Sequence, residues 1–173
     1  MPIIRASQTS DLDQITDIYA HHVLHGTGTF EIAAPSRAEM AQRREDVLSK
    51  QLPFLVATEG QQILGYAYCN WFKPRPAYRH SAEDSIYLAP GSVGVGLGGA
   101  LLSELARRAE QAGVRKLIAV IGDSANVASI GVHRNLGFSD VGILKSCGWK
   151  FDRWLDVVLM DKVLGLGSTM PPD

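Results

Sequence analysis

Tyr87-Leu-Ala-Pro-Gly-Ser-Val-Gly-Val-Gly-Leu-Gly-Gly-Ala-Leu-Leu102 is the stretch on which the fold turns. The run Ser85-Ile-Tyr-Leu88 is strand-like and stops at Pro90, and glycines follow at 94, 96, 98 and 99. A helical pattern begins at once, with Leu101, Leu102, Leu105 and Ala109 on one face and Glu104, Arg107, Arg108 and Glu110 elsewhere. Glycine lets backbone N–H groups come close to an anion, and a helix N-terminus adds unpaired donors and a partial positive charge. Strand, glycine loop and helix together predict a phosphate cradle. Gly94-x-Gly96-x-x-Gly99 also reads as a dinucleotide fingerprint, with Asp123 as the acidic residue after the next strand. A glycine turn with no ligand stays open on the loop alone.

Working outward decides between these readings. A dinucleotide fingerprint opens its domain, yet nearly half of this chain precedes the loop and reads as strand, helix, helix, strand, strand, strand. The chain after Asp123 is too short to complete a doubly wound sheet. Past it come Asn126-Val-Ala-Ser129 and then His133-Arg-Asn-Leu-Gly137-Phe138. This ordered set, with Gly96-x-Gly98 closing the loop, resembles the GNAT superfamily of N-acetyltransferases. The resemblance implies an α/β (α+β) fold: one domain over residues 1–164, a central twisted, mostly antiparallel mixed sheet flanked by helices, and a frayed tail over 165–173. It also implies acetyl-CoA as co-substrate.

Bulk properties fit one globular domain. The chain has 173 residues, 46% hydrophobic and 20% charged, with net charge −1. No Lys/Arg run supplies the electrostatic footprint of nucleic-acid binding. No apolar run reaches membrane-spanning length, and Met-Pro-Ile-Ile-Arg is not a signal peptide. Cys69 and Cys147 lack metal or disulfide spacing, so a reduced cytoplasmic setting is expected. His21, His22 and His25 carry no metal motif, and no metal is expected. Ser10 or Thr9 should cap a first helix through Leu12, Ile15, Ile18 and Tyr19. Ser36 should open a polar second helix to about Ser49, and Gly60-Gln61 should turn a hairpin. The apolar run Lys116–Ile121 should be buried on both faces, and 141–150 with 154–163 should close the sheet as an antiparallel pair.

Arg75-Pro-Ala-Tyr78, Glu83-Asp-Ser-Ile-Tyr87, Val120-Ile-Gly122, Thr29-Phe-Glu31, and Gly142 with Lys150-Phe-Asp-Arg-Trp154 narrow the resemblance. Together they are similar to the phosphinothricin and methionine-sulfoximine acetyltransferases, which act on small glutamate-like amino acids (arsinothricin included) and are generally dimers. Glu83 is then the expected general base, because an α-ammonium must lose a proton before it attacks a thioester. Period-2 alternation sets Glu83, Ser85 and Tyr87 on one strand face. The resemblance implies substrate contacts at Phe30, Glu31, Trp71, Arg75, Tyr78, Glu83, Ser85, Tyr87, Lys150, Phe151 and Arg153. It implies coenzyme contacts at Tyr87, Leu88, Ala89, Pro90, Gly94, Val95, Gly96, Leu97, Gly98, Gly99, Asn126, Ser129 and His133. His133 also stands where many acetyltransferases carry the tyrosine that protonates the leaving thiolate. Asn126 reads equally as a helix cap.

The sequence departs from the pattern at Val93, where the coenzyme loop usually has Arg or Gln, and at Val95 and Gly99, where a second base is frequent. Backbone donors remain. Three competing readings are carried: an NAD(P)-binding oxidoreductase, a non-catalytic acyl-CoA sensor, and an acetyltransferase for peptide N-termini or polyamines. The basic loop 73–79 argues against cationic acceptors.

Overall fold

The computed structural model describes residues 2–172. In chain order the elements are β1 (Ile3–Ala6), α1 (Leu12–His25), α2 (Arg37–Ser49), β2 (Phe54–Glu59), β3 (Gln62–Trp71), β4 (Ser81–Leu88), α3 (Leu97–Gln111), β5 (Lys116–Gly122), α4 (Val127–Asn135), β6 (Ser139–Lys150) and β7 (Arg153–Val163). They build one seven-stranded mixed sheet in the order β1-β2-β3-β4-β5-β7-β6. Only β4 and β5 run parallel, joined by the α3 crossover; every other neighbouring pair is antiparallel. No helix among the described residues is long and apolar enough to cross a membrane.

Helices cover both faces of the sheet. Helix α3 packs on β2, β3 and β4, while α1 packs on β3, β4 and α2. Strand β2 is therefore buried from Phe54 to Thr58 on both sides. The stripe Leu101, Leu102, Leu105 and Ala109 of α3 is fully buried, as its 3.6-residue period requires. In α1, Leu12, Ile15, Ile18 and Tyr19 are buried. Ser36 caps α2, accepting from the Glu39 N–H while Glu39 reaches back to the Ser36 N–H.

Two sequence expectations change. Neither Thr9 nor Ser10 caps α1; these residues form a short 3-10 turn, and Asp11 precedes the helix. The Asp11 carboxylate takes the Gln8 N–H at 2.7 Å and a two-pronged contact from Arg5, which holds the turn against β1. Strand β5 is buried on one face only, through Leu117, Ala119 and Ile121, and Ile118 and Val120 are half-buried. The reason is a gap beside it. Pairing of β4 with β5 ends at Asp84↔Ala119. Beyond that point β4 continues against β3 as far as Leu88, and β5 continues against β7 as far as Gly122. The two central strands part, and the cleft between them is the site.

Past β7 the tail turns back: Leu164 is buried, the Gly167 N–H donates to the Leu164 carbonyl, and the Thr169 N–H donates to that of Leu166.

Candidate active site

A cavity of about 660 Å³ fills the cleft. Its walls are Glu83–Leu88 of β4, Val120–Gly122 of β5, the glycine loop, the start of α4, and Tyr19 and Phe30 from the opposite side.

One end is the glycine loop. Gly94 and Gly96 have φ of 82° and 79°, a left-handed backbone that other residues adopt only with strain. Gly96 begins α3, and the Ala100 N–H is bonded back to its carbonyl. The N–H groups ahead of Ala100 have no intrahelical partner. Gly94, Gly96, Gly98 and Gly99 line the cavity, and a Cβ built at Gly99 meets open space. Open N–H groups at a helix start, with room for a ligand beside them, can hold an anion. Tyr87 and Leu88 also line the cavity, whereas Ala89 and Leu97 are buried in the core and anchor the loop. Pro90 and Val95 are exposed and off the cavity wall. Val93 lines the cavity with an apolar side chain, so the donors available at this end are backbone N–H groups.

Asn126, Ser129 and His133 line the α4 side. Asn126 caps the helix, its Oδ1 accepting from the Ser129 N–H. His133 is buried between two acceptors: Nδ1 lies 2.7 Å from the Ser129 carbonyl and Nε2 lies 3.0 Å from Asp84 Oδ1. Burial disfavours its charge, but the Asp84 hydrogen bond, the Asp84 charge and the Ser129 carbonyl outweigh that and hold its pKa above the ordinary value. Burial raises the Asp84 carboxyl, with His133 opposing. Asp84 was not among the expected site residues; strand alternation sent it to the face opposite Glu83, and no sequence spacing pairs it with His133.

The other end faces α1 and α2. Glu83 stands opposite Asn70 of β3, and Ser85 opposite Tyr68, so these four share a face. Half-buried Glu83 has its pKa raised by burial first and by Asp84 second, with Lys73 opposing. Lys73 belongs to the basic loop before β4, with its ammonium 4.9 Å from the centre of the Phe72 ring. Tyr68 lines this cavity and also a second hollow of about 460 Å³ under α2, beside Arg43 and Asn70. Arg43 grips Glu31 at 2.6 and 3.3 Å. Arg43 and Tyr68 carry no motif of their own; only the fold sets them here. Phe30 lines the cavity and occupies the space over Gly122 and Gly148, where a Cβ would collide with its ring.

Several expected substrate contacts lie off the cavity wall. Glu31 is turned to Arg43. Trp71 is half-buried, with the Lys50 ammonium 5.5 Å from its ring centre. Arg75 and Tyr78 sit on the exposed 3-10 turn before β4. Lys150 is buried at the end of β6 rather than poised over the cleft. Its Nζ donates to the Gly26 and Thr29 carbonyls, each at 2.8 Å, and so fastens the loop that carries Phe30. Phe151 and Arg153 are exposed, and Arg153 contacts Asp123 at 3.1 Å. Asp123 also takes the Ala125 N–H; it serves a local turn instead of facing a ribose, which removes the support for a dinucleotide site.

The chain is similar to known proteins along nearly its whole length. The acetyltransferase (GNAT) domain matches residues 4–159. The chain is 48% identical over 170 residues to the phosphinothricin N-acetyltransferase of Alcaligenes faecalis, covering 98% of this chain and 86% of that one. It is 35% identical over 173 residues to an L-methionine sulfoximine/L-methionine sulfone acetyltransferase of Salmonella typhimurium, covering 98% of each. A GNAT superfamily phosphinothricin acetyltransferase from Sinorhizobium meliloti, solved in complex with AcCoA, superposes with a TM-score of 0.96 at 43% identity, covering 99% of this chain and 93% of that one.

Proposed function

This chain belongs to the GNAT acetyltransferase family and is an N-acetyltransferase with acetyl-CoA as co-substrate, and we propose that its acceptor is the α-amino group of a small glutamate-like amino acid. Phosphinothricin, methionine sulfoximine and sulfone, and arsinothricin are the acceptors in view. The reading is carried by one observation: a half-buried carboxylate, Glu83, on the cleft wall next to the basic loop. The cradle of Gly94–Gly99 holds the coenzyme phosphates, and the parted strands β4 and β5 admit its arm. Glu83 takes a proton from the acceptor's ammonium, and the freed amine attacks the thioester carbonyl. Phe30 and Tyr68 wall the acceptor. Lys73, Arg75 and Arg79 of the loop before β4 lie off the cavity wall and put positive charge beside the approach to Glu83, which favours an anionic head over a cationic acceptor.

A thiol-release assay with acetyl-CoA tests this across amino acids, phosphinothricin and methionine sulfone, spermidine and a peptide amine. Release with the anionic amino acids and little with the amines is the expected result. Equal turnover of spermidine overturns the acceptor assignment. Acetyl-CoA binding with no thiol release from any amine identifies a sensor instead.

The chain also acts as a homodimer in this reading. Edge strand β6 and the β6–β7 turn expose Val141, Ile143, Leu144, Trp149, Phe151 and Trp154, an apolar strip that a second copy would cover.

A further inference from the structure

We propose that Asp84 and His133 act as one unit that stores a single proton at the cleft and delivers it to the departing thiolate. This rests on the acetyl-transfer reading above, and it assigns Asp84, a residue outside the expected site, to the reaction.

Hydrogen-bond chemistry fixes the proton count. A backbone carbonyl only accepts, so the 2.7 Å contact to Ser129 places a hydrogen on His133 Nδ1. The other ring nitrogen meets an Asp84 carboxyl oxygen at 3.0 Å. One further proton must lie on that line; carried on Nε2, it faces an ionised Asp84. Both side chains are 2% exposed. Without that proton the pair would be a lone buried carboxylate, which is costly; with it the pair is neutral overall. Asp84 Oδ2 is buried and has no hydrogen-bond partner among the described residues. A buried polar oxygen left without a partner calls for a functional explanation, and Asp84 lies on the cavity wall. Since both nitrogens of His133 are engaged, Oδ2 is the free oxygen of the unit.

Balance then follows. When the thioester C–S bond breaks, its electron pair stays on sulfur. The Nε2–H bond of His133 breaks as its proton forms the S–H bond, which leaves a neutral His133, still protonated on Nδ1, beside the Asp84 carboxylate. The new amide nitrogen sheds its second proton to solvent, and the pair takes one back from solvent. Glu83 and Asp84 are consecutive on β4, so they point to opposite faces: one removes a proton on the acceptor side, the other supplies one on the α4 side.

The surroundings favour storage. From β3, Cys69 stands opposite Asp84, and burial with the Asp84 charge pushes its thiol to about 12, so it stays neutral. Strand β5 sets Ala119 opposite. Phe138 places its ring edge-on to His133 at 4.9 Å. Helix α3 turns leucines inward, and its charges Glu104, Arg107 and Arg108 pair with one another. On β4 itself Glu83 is the neighbouring charge. The proton is lost as pH rises through the raised His133 value, and removing the Asp84 charge leaves burial to lower that value.

Nitrogen-15 NMR of histidine-labelled wild-type protein tests the stored proton without any variant or acceptor. The expected result is one histidine with both ring nitrogens protonated at pH 7.5, missing in His133→Gln. In Asp84→Asn that signal becomes neutral, the alkaline limb of kcat moves at least one pH unit downward, and KM for acetyl-CoA stays within threefold. The double variant is no slower than the worse single one. A wild-type His133 neutral at pH 7.5, or an Asp84→Asn limb left in place, overturns the proposal. Wild-type protein that releases no thiol with any acceptor defeats the acetyl-transfer reading instead, while the NMR still decides the proton.

Discussion

At the scale of single residues, the proposed acceptor side rests on Glu83 and Phe30, which both line the cavity. Burial raises the Glu83 carboxyl, so its basic form is gained as pH rises through a value above the usual carboxylate range. In the wild type, kcat/KM climbs through that limb. Glu83→Gln lowers kcat/KM by about 10²–10⁴ at neutral pH, the scale of general-base loss. The deficit shrinks at high pH, where the amine deprotonates unaided. A pH-independent loss below about threefold assigns Glu83 to packing. Phe30 depends on a missing side chain: a Cβ at Gly148 would collide with its ring. Gly148→Ala therefore costs about 1–3 kcal/mol of overpacking, seen in calorimetry as a Tm lower by about 2–4 °C per kcal/mol. Arg75→Ala removes one exposed positive charge from the loop and raises KM for phosphinothricin about threefold, less at high salt because the field is screened, with acetyl-CoA affinity unchanged in titration calorimetry; an unchanged KM frees the basic loop from the acceptor.

At the scale of elements, the decisive unit is the glycine loop with the first turn of α3. Its chemistry is backbone chemistry: open N–H groups, three left-handed glycines (Gly91, Gly94 and Gly96) and no basic side chain. Gly98 is buried, and a Cβ there touches Leu88 and Val132 at 3.7 and 3.8 Å. Gly98→Glu adds bulk and negative charge at the helix N-terminus, where the partial charge favours anions. The expected outcome is loss of acetyl-CoA binding in calorimetry with circular dichroism unchanged. Retained affinity would move the phosphate site elsewhere.

At the scale of the whole molecule, one parallel pair in an otherwise antiparallel sheet creates the cleft. Helix α1 packs against β4, and α3 and the His133 side chain of α4 meet it as well, so in the proposed reaction proton uptake at Glu83 and proton supply at Asp84 fall on opposite faces of one strand. The outer edge, β6, stays exposed and apolar. Trp149→Arg on that strip is expected to turn a dimer into a monomer in sedimentation velocity. A wild type that is already monomeric at micromolar concentration ends the dimer proposal.

The chain's own pattern determined the local and repetitive features. The α3 stripe from Leu101 to Ala109, the Ser36 cap, the hairpin at Gly60 and the order of elements around the glycine loop all follow from short-range rules: residue spacing, turn chemistry and backbone freedom. The same rules set Glu83, Ser85 and Tyr87 on one face of β4 and the glycines at the start of α3. They misplaced the α1 cap, because Asp11 is recruited by Arg5 of β1, a tertiary contact. They also overstated the burial of β5, because periodicity does not show where two paired strands part. Only the tertiary structure set Asp84 on His133, across 49 residues of chain, and drew Lys150 into the interior to hold Gly26 and Thr29. Such contacts join polar side chains far apart in sequence, and whether a charge is buried or solvated depends on what the rest of the fold packs against it.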